Sequence, residues 1–338
     1  MTLRVGLFGA GNIFERGYLP ALVETEAVRV MAVCDLDAER AARAADRLDG
    51  AVALSTDEEL LAYPNLDAVF VLTPPDSHAA LTIAALESGR DVLCEKPMAR
   101  SGDDARRMAA TAERTGRRLM VGHTRHFDDR WTAMHDQIAA GRVGEPVYAY
   151  RSEHAYNGAP EGSWIWQGEI SGGVLWDVGV HVAELFRWFM GEMPQTAFAK
   201  VINSRPEARA GGAPDAAVAT FTFGPNRHAL MSVSWLHPPA WGPFYATTEV
   251  VGTTGRIEAY DRESNPASIV GSGLEIPRTS PLLSAISTAF RREIEHFAEA
   301  IETGAPFAVT VDDAIGAIDM IEAADRSVRS GRPEAVRR

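Results

Sequence analysis

Short apolar runs alternate with alanine- and charge-rich stretches of helical period along the first third of the chain. The runs predict strands at residues 5–9, 28–35, 51–54, 68–72, 91–94 and 119–122, with helices at 13–25, 38–48, 57–62, 77–88 and 103–115 between them. Most of these strands are continuously apolar rather than alternating, as strands covered on both faces are. Strand–helix alternation of that kind builds a doubly wound, mostly parallel sheet of the α/β class. Beyond about residue 122 the pattern changes. A helix at 130–140 precedes extended runs at 146–153, 196–202, 217–223, 228–235, 247–251 and 256–260, in which polar and apolar positions alternate. Short turns such as Gly224-Pro225-Asn226 join them, as in antiparallel hairpins. The expectation is two domains: residues 1–122, and residues 123–338 as an α+β domain with a largely antiparallel open sheet. Residues 204–214 read as a mobile surface loop and 265–281 as irregular; helices at 282–302 and 311–330 close the chain.

One helix of the second part carries chemistry. Residues 173–189 follow the pair Gly172-Gly173, and Asp177, His181 and Glu184 stand four and then three positions apart on one stripe. A carboxylate one turn from a histidine orients the imidazole and stabilises its charged form, which suits the histidine to act as a base. Zinc would accept the same donors. No second cluster of such residues stands out, and no metal is expected.

The first strand runs into Gly9-Ala10-Gly11-Asn12-Ile13-Phe14 and a helix. Glycines there permit a tight turn and a close approach of backbone to a pyrophosphate, which the helix N-terminus favours. Phe14 occupies the place of the usual small third residue, so the helix must pack against the strand in a non-standard way. Asp35 ends the second strand, 24 positions after Gly11, near the spacing of an acid that binds the ribose hydroxyls. A carboxylate there repels a 2′-phosphate, so NAD is expected in preference to NADP. Thr73, Pro74 and His78 leave the fourth strand, and Glu95-Lys96-Pro97 leaves the fifth; ligands of doubly wound sheets sit at such strand ends. Lys96 can hold a substrate oxygen.

Composition narrows the partners. The formal net charge is −13 with pI near 5.2, which opposes binding to nucleic-acid backbones or anionic membranes. No secretory signal is visible, and Cys34 and Cys94 read as two buried thiols in a reducing cytosol. A cytoplasmic location is the expectation.

The order of Gly9-Ala10-Gly11, Thr73-Pro74, Cys94-Glu95-Lys96-Pro97 and Gly172-Gly173-Val-Leu-Trp-Asp177-Val-Gly-Val-His181 resembles the glucose–fructose oxidoreductase / inositol dehydrogenase / rhizopine-catabolism (Gfo/Idh/MocA) family over nearly the whole chain. The resemblance implies an N-terminal Rossmann domain and a C-terminal domain whose open sheet often forms an oligomer interface. It implies a nicotinamide cofactor, and oxidation or reduction at a carbinol carbon of a sugar, cyclitol or related polyol. It assigns catalytic roles to Lys96, Asp177 and His181. Cofactor contacts are expected from Gly9, Gly11, Asn12, Ile13, Asp35, Thr73, Pro74, His78, Glu95 and Lys96. Arg125, His154, Tyr156, Trp164 and Trp166, with His237 and Trp241, are candidates to bind a sugar-like substrate, and a homo-oligomer, dimer or tetramer, is expected. Two other readings stay open: a glycosidase that oxidises its sugar transiently and recycles NAD, and a non-catalytic NAD-binding regulator. A regulator would have lost the Lys/His pair, which is present here.

Overall fold

The computed structural model describes residues 2–238, 240, 244–262, 265–270 and 282–337. The chain forms two compact units, Met1–Phe127 with Ile286–Ile315 and Asp128–Ala285 with Gly316–Arg338.

In the first unit six strands pair in parallel: β1 (Leu3–Phe8), β2 (Val28–Cys34), β3 (Val52–Leu54), β4 (Ala68–Val71), β5 (Asp91–Glu95) and β6 (Leu119–Gly122). Their order is β3-β2-β1-β4-β5-β6. The winding reverses between β1 and β4, which leaves a crevice at the carboxyl ends of these strands. Helices α1 (Leu19–Glu24), α2 (Ala38–Ala45), α3 (Asp57–Ala62), α4 (His78–Glu87) and α5 (Gly102–Thr115) make the crossovers. Local chemistry sets their starts: Thr56 and Glu59 form a reciprocal capping box, and the Ser101 hydroxyl accepts the Asp104 N–H. The segment before α1 is a π-helical turn, Phe14–Tyr18. A π-turn widens the helix by one residue per turn, and here it accommodates Phe14, which is wholly buried. This is the non-standard packing expected from a bulky residue at that position.

Phe14 and Tyr18 belong to an apolar core with Leu7, Phe70, Leu93 and Met120. Phe290, Ile294 and Phe297 complete it from the helix Leu282–Thr303. Tyr18 lies edge-on to Phe290 at 5.0 Å, and Phe70 edge-on to Phe297 at 5.6 Å. Residues 286–315 therefore pack with the N-terminal unit, although local pattern placed them in the second domain. The division expected after residue 122 falls after Phe127.

The second unit is built on eight strands: β7 (Pro146–Ala155), β8 (Thr196–Ile202), β9 (Ala216–Gly224), β10 (Arg227–Ser234), β11 (Phe244–Gly252), β12 (Arg256–Arg262), β13 (Asn265–Val270) and β14 (Glu334–Ala335). Their order is β13-β12-β11-β7-β10-β9-β8-β14. All neighbours are antiparallel except β7 and β10, which run parallel. Helices α6 (Asp129–Ala139), α7 (Gly168–Ser171), α8 (Gly173–Met190) and α9 (Pro206–Gly211) follow in chain order, then α10, the helix Leu282–Thr303 already named, and α11 (Val311–Ser330). Helix α8 covers one sheet face: Phe186 meets Phe221 edge-on at 6.3 Å, and Ala217, Ala219, Phe221 and Phe223 are buried. Alternation sends their neighbours to the other face, where Val218 and Ile202 are 48% and 58% exposed.

Two expectations change here. Residues 204–214 are not a mobile loop: Pro206 starts α9, Ala208 is buried, and the buried Asp215 carboxylate accepts the N–H groups of Ser204 and Arg205. Residues 265–270 are not irregular but form β13 beside β12; residues 271–281 lie outside the described residues. No described helix is long and apolar enough to cross a membrane.

Both thiols are free and buried. Burial, with Asp57 and Asp35 near Cys34 and Glu95 near Cys94, pushes each up to about 12. Thiolate is the reactive form, so the native protein should leave a thiol reagent such as DTNB unconsumed and take up two equivalents per chain only after denaturation.

Candidate active site

Gly9 makes the turn after β1. Its φ is +89°, and a Cβ there would lie 2.9 Å from the Leu72 carbonyl carbon, so no other residue fits. At Gly11 an added Cβ would meet no heavy atom within 4 Å. The turn thus leaves open space beside its backbone, as a pyrophosphate requires. Asn12 is exposed and Ile13 half-buried just beyond it. Asp35, 8% exposed, ties the end of β2 to this turn: its carboxylate accepts the N–H groups of Ala10 and Asp37, each at 2.9 Å. Arg40 Nη1 stands 3.4 Å from the same carboxylate. Leu36, next along the chain, is 93% exposed.

The loop after β4 and the turn after β5 are fastened together. His78 is buried; its Nδ1 lies 2.8 Å from the Pro97 carbonyl oxygen and its Nε2 2.8 Å from that of Thr73. Only a doubly protonated ring serves two acceptors at once, whereas burial draws the pKa of this ring below its ordinary value. With both ring nitrogens turned to the protein, His78 braces the loop instead of presenting a polar group to a nucleotide. Thr73 and Pro74 are half-buried, and the Thr73 hydroxyl accepts from Ser77 at 2.7 Å. On the other side of Lys96, the buried Glu95 accepts the Lys96 N–H at 3.0 Å through Oε2. The Lys96 backbone is held from both directions while its side chain stays half-buried.

A deeper layer lies under that turn. Tyr18, Glu95 and Glu293 are buried, and the Tyr18 hydroxyl donates to Glu293 Oε1 at 3.2 Å. Burial, reinforced by the Glu95 charge, pushes the Glu293 carboxyl well above the usual carboxylate range; burial and both acids do the same to the Tyr18 phenol.

In the second unit, Gly173 opens α8 at φ +70°, with the Pro214 carbonyl oxygen 2.5 Å from where a Cβ would stand. This close packing fixes the start of the helix. Asp177 and His181 are half-buried one turn apart. Glu184, the third member of the stripe, is buried and faces Arg187 at 3.4 Å. Among the described residues no group of three or more His, Cys, Asp or Glu side chains is arranged to hold a metal ion.

The candidates for substrate contact separate. His154 Nε2 lies 2.7 Å from the Ser152 hydroxyl and its Nδ1 2.7 Å from that of Ser234. With Ser234, Leu236, His237, Pro238 and Tyr245 it lines a hollow of about 460 Å³. Burial and the neighbouring His237 lower the His154 pKa, which favours the neutral ring. Tyr156 and Trp164 are 43% and 39% exposed. Trp166 is corrected: it is buried, donates to the Ala159 carbonyl at 3.0 Å, and packs against Trp235 and the Arg205 guanidinium, which leaves no ring face for a sugar. Arg125 lies half-buried in the turn Thr124–Phe127 of the first unit, and Trp241 is outside the described residues.

Residues 3–123 match the oxidoreductase family with NAD-binding Rossmann fold, and residues 131–258 match the GFO/IDH/MocA C-terminal domain. The chain belongs to the Gfo/Idh/MocA family. It is 31% identical over 340 residues to the inositol 2-dehydrogenase of Rhizobium meliloti (strain 1021), with 98% of each chain covered. It is 28% identical over 279 residues to the scyllo-inositol 2-dehydrogenase (NAD(+)) of Bacillus subtilis (strain 168), covering 81% of this chain and 79% of that one. Its fold matches the crystal structure of GenD2 from gentamicin A biosynthesis in complex with NAD, with TM-score 0.87 at 24% identity over 100% and 97% of the two chains. This member of the Gfo/Idh/MocA family is an NAD-dependent oxidoreductase.

Two features of this Gfo/Idh/MocA protein escaped the motif reading. Glu293 sits in an ordinary amphipathic stretch, Arg291-Arg-Glu293-Ile-Glu-His296, that nothing local distinguishes. The other was in plain view: of 33 basic residues only Lys96 and Lys200 are lysines. Lys200 is exposed on β8, so Lys96 is the one lysine that is half-buried.

The raised Glu293 pKa has a direct consequence. An acid whose folded pKa lies above its unfolded value adds stability below the ordinary carboxyl range and loses it as pH rises. Glu95, Tyr18 and Thr124 face this carboxyl. Glu293→Gln stays neutral, so its melting temperature should gain on that of the wild type as the pH rises above the ordinary carboxyl range; a constant difference would refute the assignment.

Proposed function

We propose that the protein oxidises a secondary alcohol of a cyclitol or related polyol with NAD, or in reverse reduces the corresponding ketone with NADH. The observation that carries the reading is Lys96: one of two lysines in the chain, at the carboxyl end of β5, with its own N–H held by Glu95 and the carbonyl of the next residue, Pro97, held by His78. The residues present fit the cofactor. The open backbone at Gly11 and the turn at Gly9 suit its pyrophosphate, with Asn12, Ile13, Thr73 and Pro74 beside it. Asp35 suits the ribose hydroxyls. When bound, NAD supplies the hydride acceptor.

The chain's own groups manage the proton and the developing charge. The His181 imidazole accepts the proton of the substrate hydroxyl. Asp177, one turn away, orients that imidazole or holds a neighbouring hydroxyl. The Lys96 ammonium donates to the reacting oxygen and stabilises its alkoxide character. The His154 hollow, with a neutral imidazole, a serine hydroxyl and the Tyr245 ring, matches a polyhydroxylated ring with one polar edge and one flat face. The names of the two inositol dehydrogenase relatives support a cyclitol.

The test is NADH formation with a panel of cyclitols, aldoses and aryl glycosides. Turnover with a cyclitol is the expected result; release of aglycone without net NADH would replace the dehydrogenase by a redox-neutral glycosidase. Lys96→Ala and His181→Ala should each lower kcat by about 10²–10⁴, with NAD affinity, read by fluorescence titration, nearly unchanged. Wild-type turnover in either variant removes that residue from the scheme.

Asp35 favours NAD by repelling a 2′-phosphate, and Arg40 at 3.4 Å tempers that repulsion. Asp35→Ser should shift the ratio of kcat/KM for NAD to that for NADP by roughly tenfold or more toward NADP, about 1.4 kcal/mol. An unchanged ratio would place the discrimination elsewhere.

We propose further that the sheet face carrying Val218, Ile202 and Tyr148 pairs with a second copy of the chain. Exposed apolar side chains on one sheet face suit an interface with another chain, and most oligomers pair identical copies. Val218→Arg should lower the mass measured by light scattering to that of one chain; a wild-type protein already of that mass would end the proposal.

A further inference from the structure

The fold brings one acidic side chain from near the end of the chain beneath the Glu95-Lys96-Pro97 turn, and no motif accounts for it. Glu293 lies on the helix Leu282–Thr303, is completely buried, and belongs to the same compact unit as β5 and β6. Its Oε1 accepts from Tyr18 at 3.2 Å. The Glu95 carboxylate is near enough to the Tyr18 phenol to help raise its pKa. Gly122, the last residue of β6, marks where the oxygens converge: a Cβ on it would stand 3.2 Å from the Tyr18 hydroxyl and 3.4 Å from Oε1 of each glutamate. The other oxygen of Glu95 accepts the Lys96 N–H at 3.0 Å.

Two buried carboxyl groups side by side are costly. A leucine at position 293 would fill similar space without that cost, among neighbours that include Phe290, Ile294 and Phe297. What leucine lacks is a polar group to complete the hydrogen bonds of Tyr18 and thereby the orientation of Glu95. A protonated Glu293, as its burial favours, presents both a donor and an acceptor to this cluster.

We infer that Glu293 is a positioning residue for Lys96, acting through Tyr18 and Glu95 to fix the main chain from which the lysine side chain projects. The inference rests on the catalytic role proposed for Lys96. Glu293 touches neither substrate nor cofactor. Its effect is on where the ammonium stands, so it should appear in kcat more than in KM for NAD.

The lysine content makes this directly observable. Reductive methylation with ¹³C-formaldehyde labels Lys96, Lys200 and the N-terminus, and Lys200→Arg and Lys96→Arg assign the two lysine resonances. Wild type, Glu293→Gln, Glu293→Leu and Tyr18→Phe are then compared by NMR, and the unlabelled proteins by steady-state kinetics. Glu293→Leu should shift or split the Lys96 resonance, leave Lys200 in place, and lower kcat about tenfold or more with KM for NAD within about threefold. Glu293→Gln, which keeps a neutral donor and acceptor, should retain the wild-type resonance and a kcat within about threefold. Tyr18→Phe keeps the ring contacts with Phe70 and Phe290 and should displace the Lys96 resonance in the same direction; it decides the matter if Glu293→Leu does not fold. An unmoved Lys96 resonance in Glu293→Leu, or in Tyr18→Phe when only that variant folds, overturns the inference. So does a loss in Glu293→Gln as large as in Glu293→Leu. If no polyol supports NADH formation by the wild type while the Lys96 resonance still responds to position 293, the dehydrogenase reading falls and the positioning stands.

Discussion

Parallel pairing of β1 with both β2 and β4 is the constraint on which the site in the first unit depends. It sends the carboxyl ends of β1, β2, β4 and β5 to one edge of the sheet. Each end then contributes one element: the Gly9 turn, Asp35, the Thr73 loop and Lys96. None of these would matter if the ends were free to move. Asp35 binds the N–H of Ala10, and His78 spans the Thr73 and Pro97 carbonyls. Neighbouring strand ends are thus fastened by buried polar groups, whose bonds are expensive to break in a medium of low dielectric constant. The polar residues of the nucleotide-facing edge serve the protein's own backbone as much as a ligand.

That double service explains what was and was not legible in the sequence. The β-strands of the first unit fall within a residue or two of the apolar runs that predicted them, because burial on both faces leaves a continuous signature. Helix α3 and strands β6 and β8 have the expected bounds for the same reason: capping chemistry and alternation are local. The failures are all long-range. Nothing in residues 282–303 announces that Phe290 and Phe297 will pack on Tyr18 and Phe70 rather than on the sheet that precedes them in the chain. The parallel pairing of β7 with β10 amid antiparallel neighbours depends on connections, not on either strand's pattern. Residues 206–211 concealed a helix behind a loop-like composition; burial of Ala208 decides it.

Motifs singled out Lys96, Asp177 and His181, the residues of the proposed mechanism, because residue type and spacing are themselves informative. They did not distinguish a tryptophan that could meet a substrate from one already enclosed: Trp164 is 39% exposed, whereas Trp166, two residues on, is buried against Trp235. They gave Asp35 one role where the structure shows a carboxylate shared with two backbone N–H groups and an arginine. Glu293 is the extreme case, since its importance depends on Tyr18 and Glu95, which lie 275 and 198 residues earlier in the chain.

The division of the first unit into two separated stretches of sequence has a consequence for how the chain becomes a protein. Its opening 127 residues carry the whole parallel sheet, yet Phe290, Ile294, Phe297 and Val309 belong to the same core. During synthesis the surface that these residues cover stays open to water until they have been made, while the intervening stretch between residues 128 and 285 is already complete. The unit that is first in sequence is therefore closed only after most of the chain has been made, and the second unit, which takes in Gly316–Arg338, is completed after it.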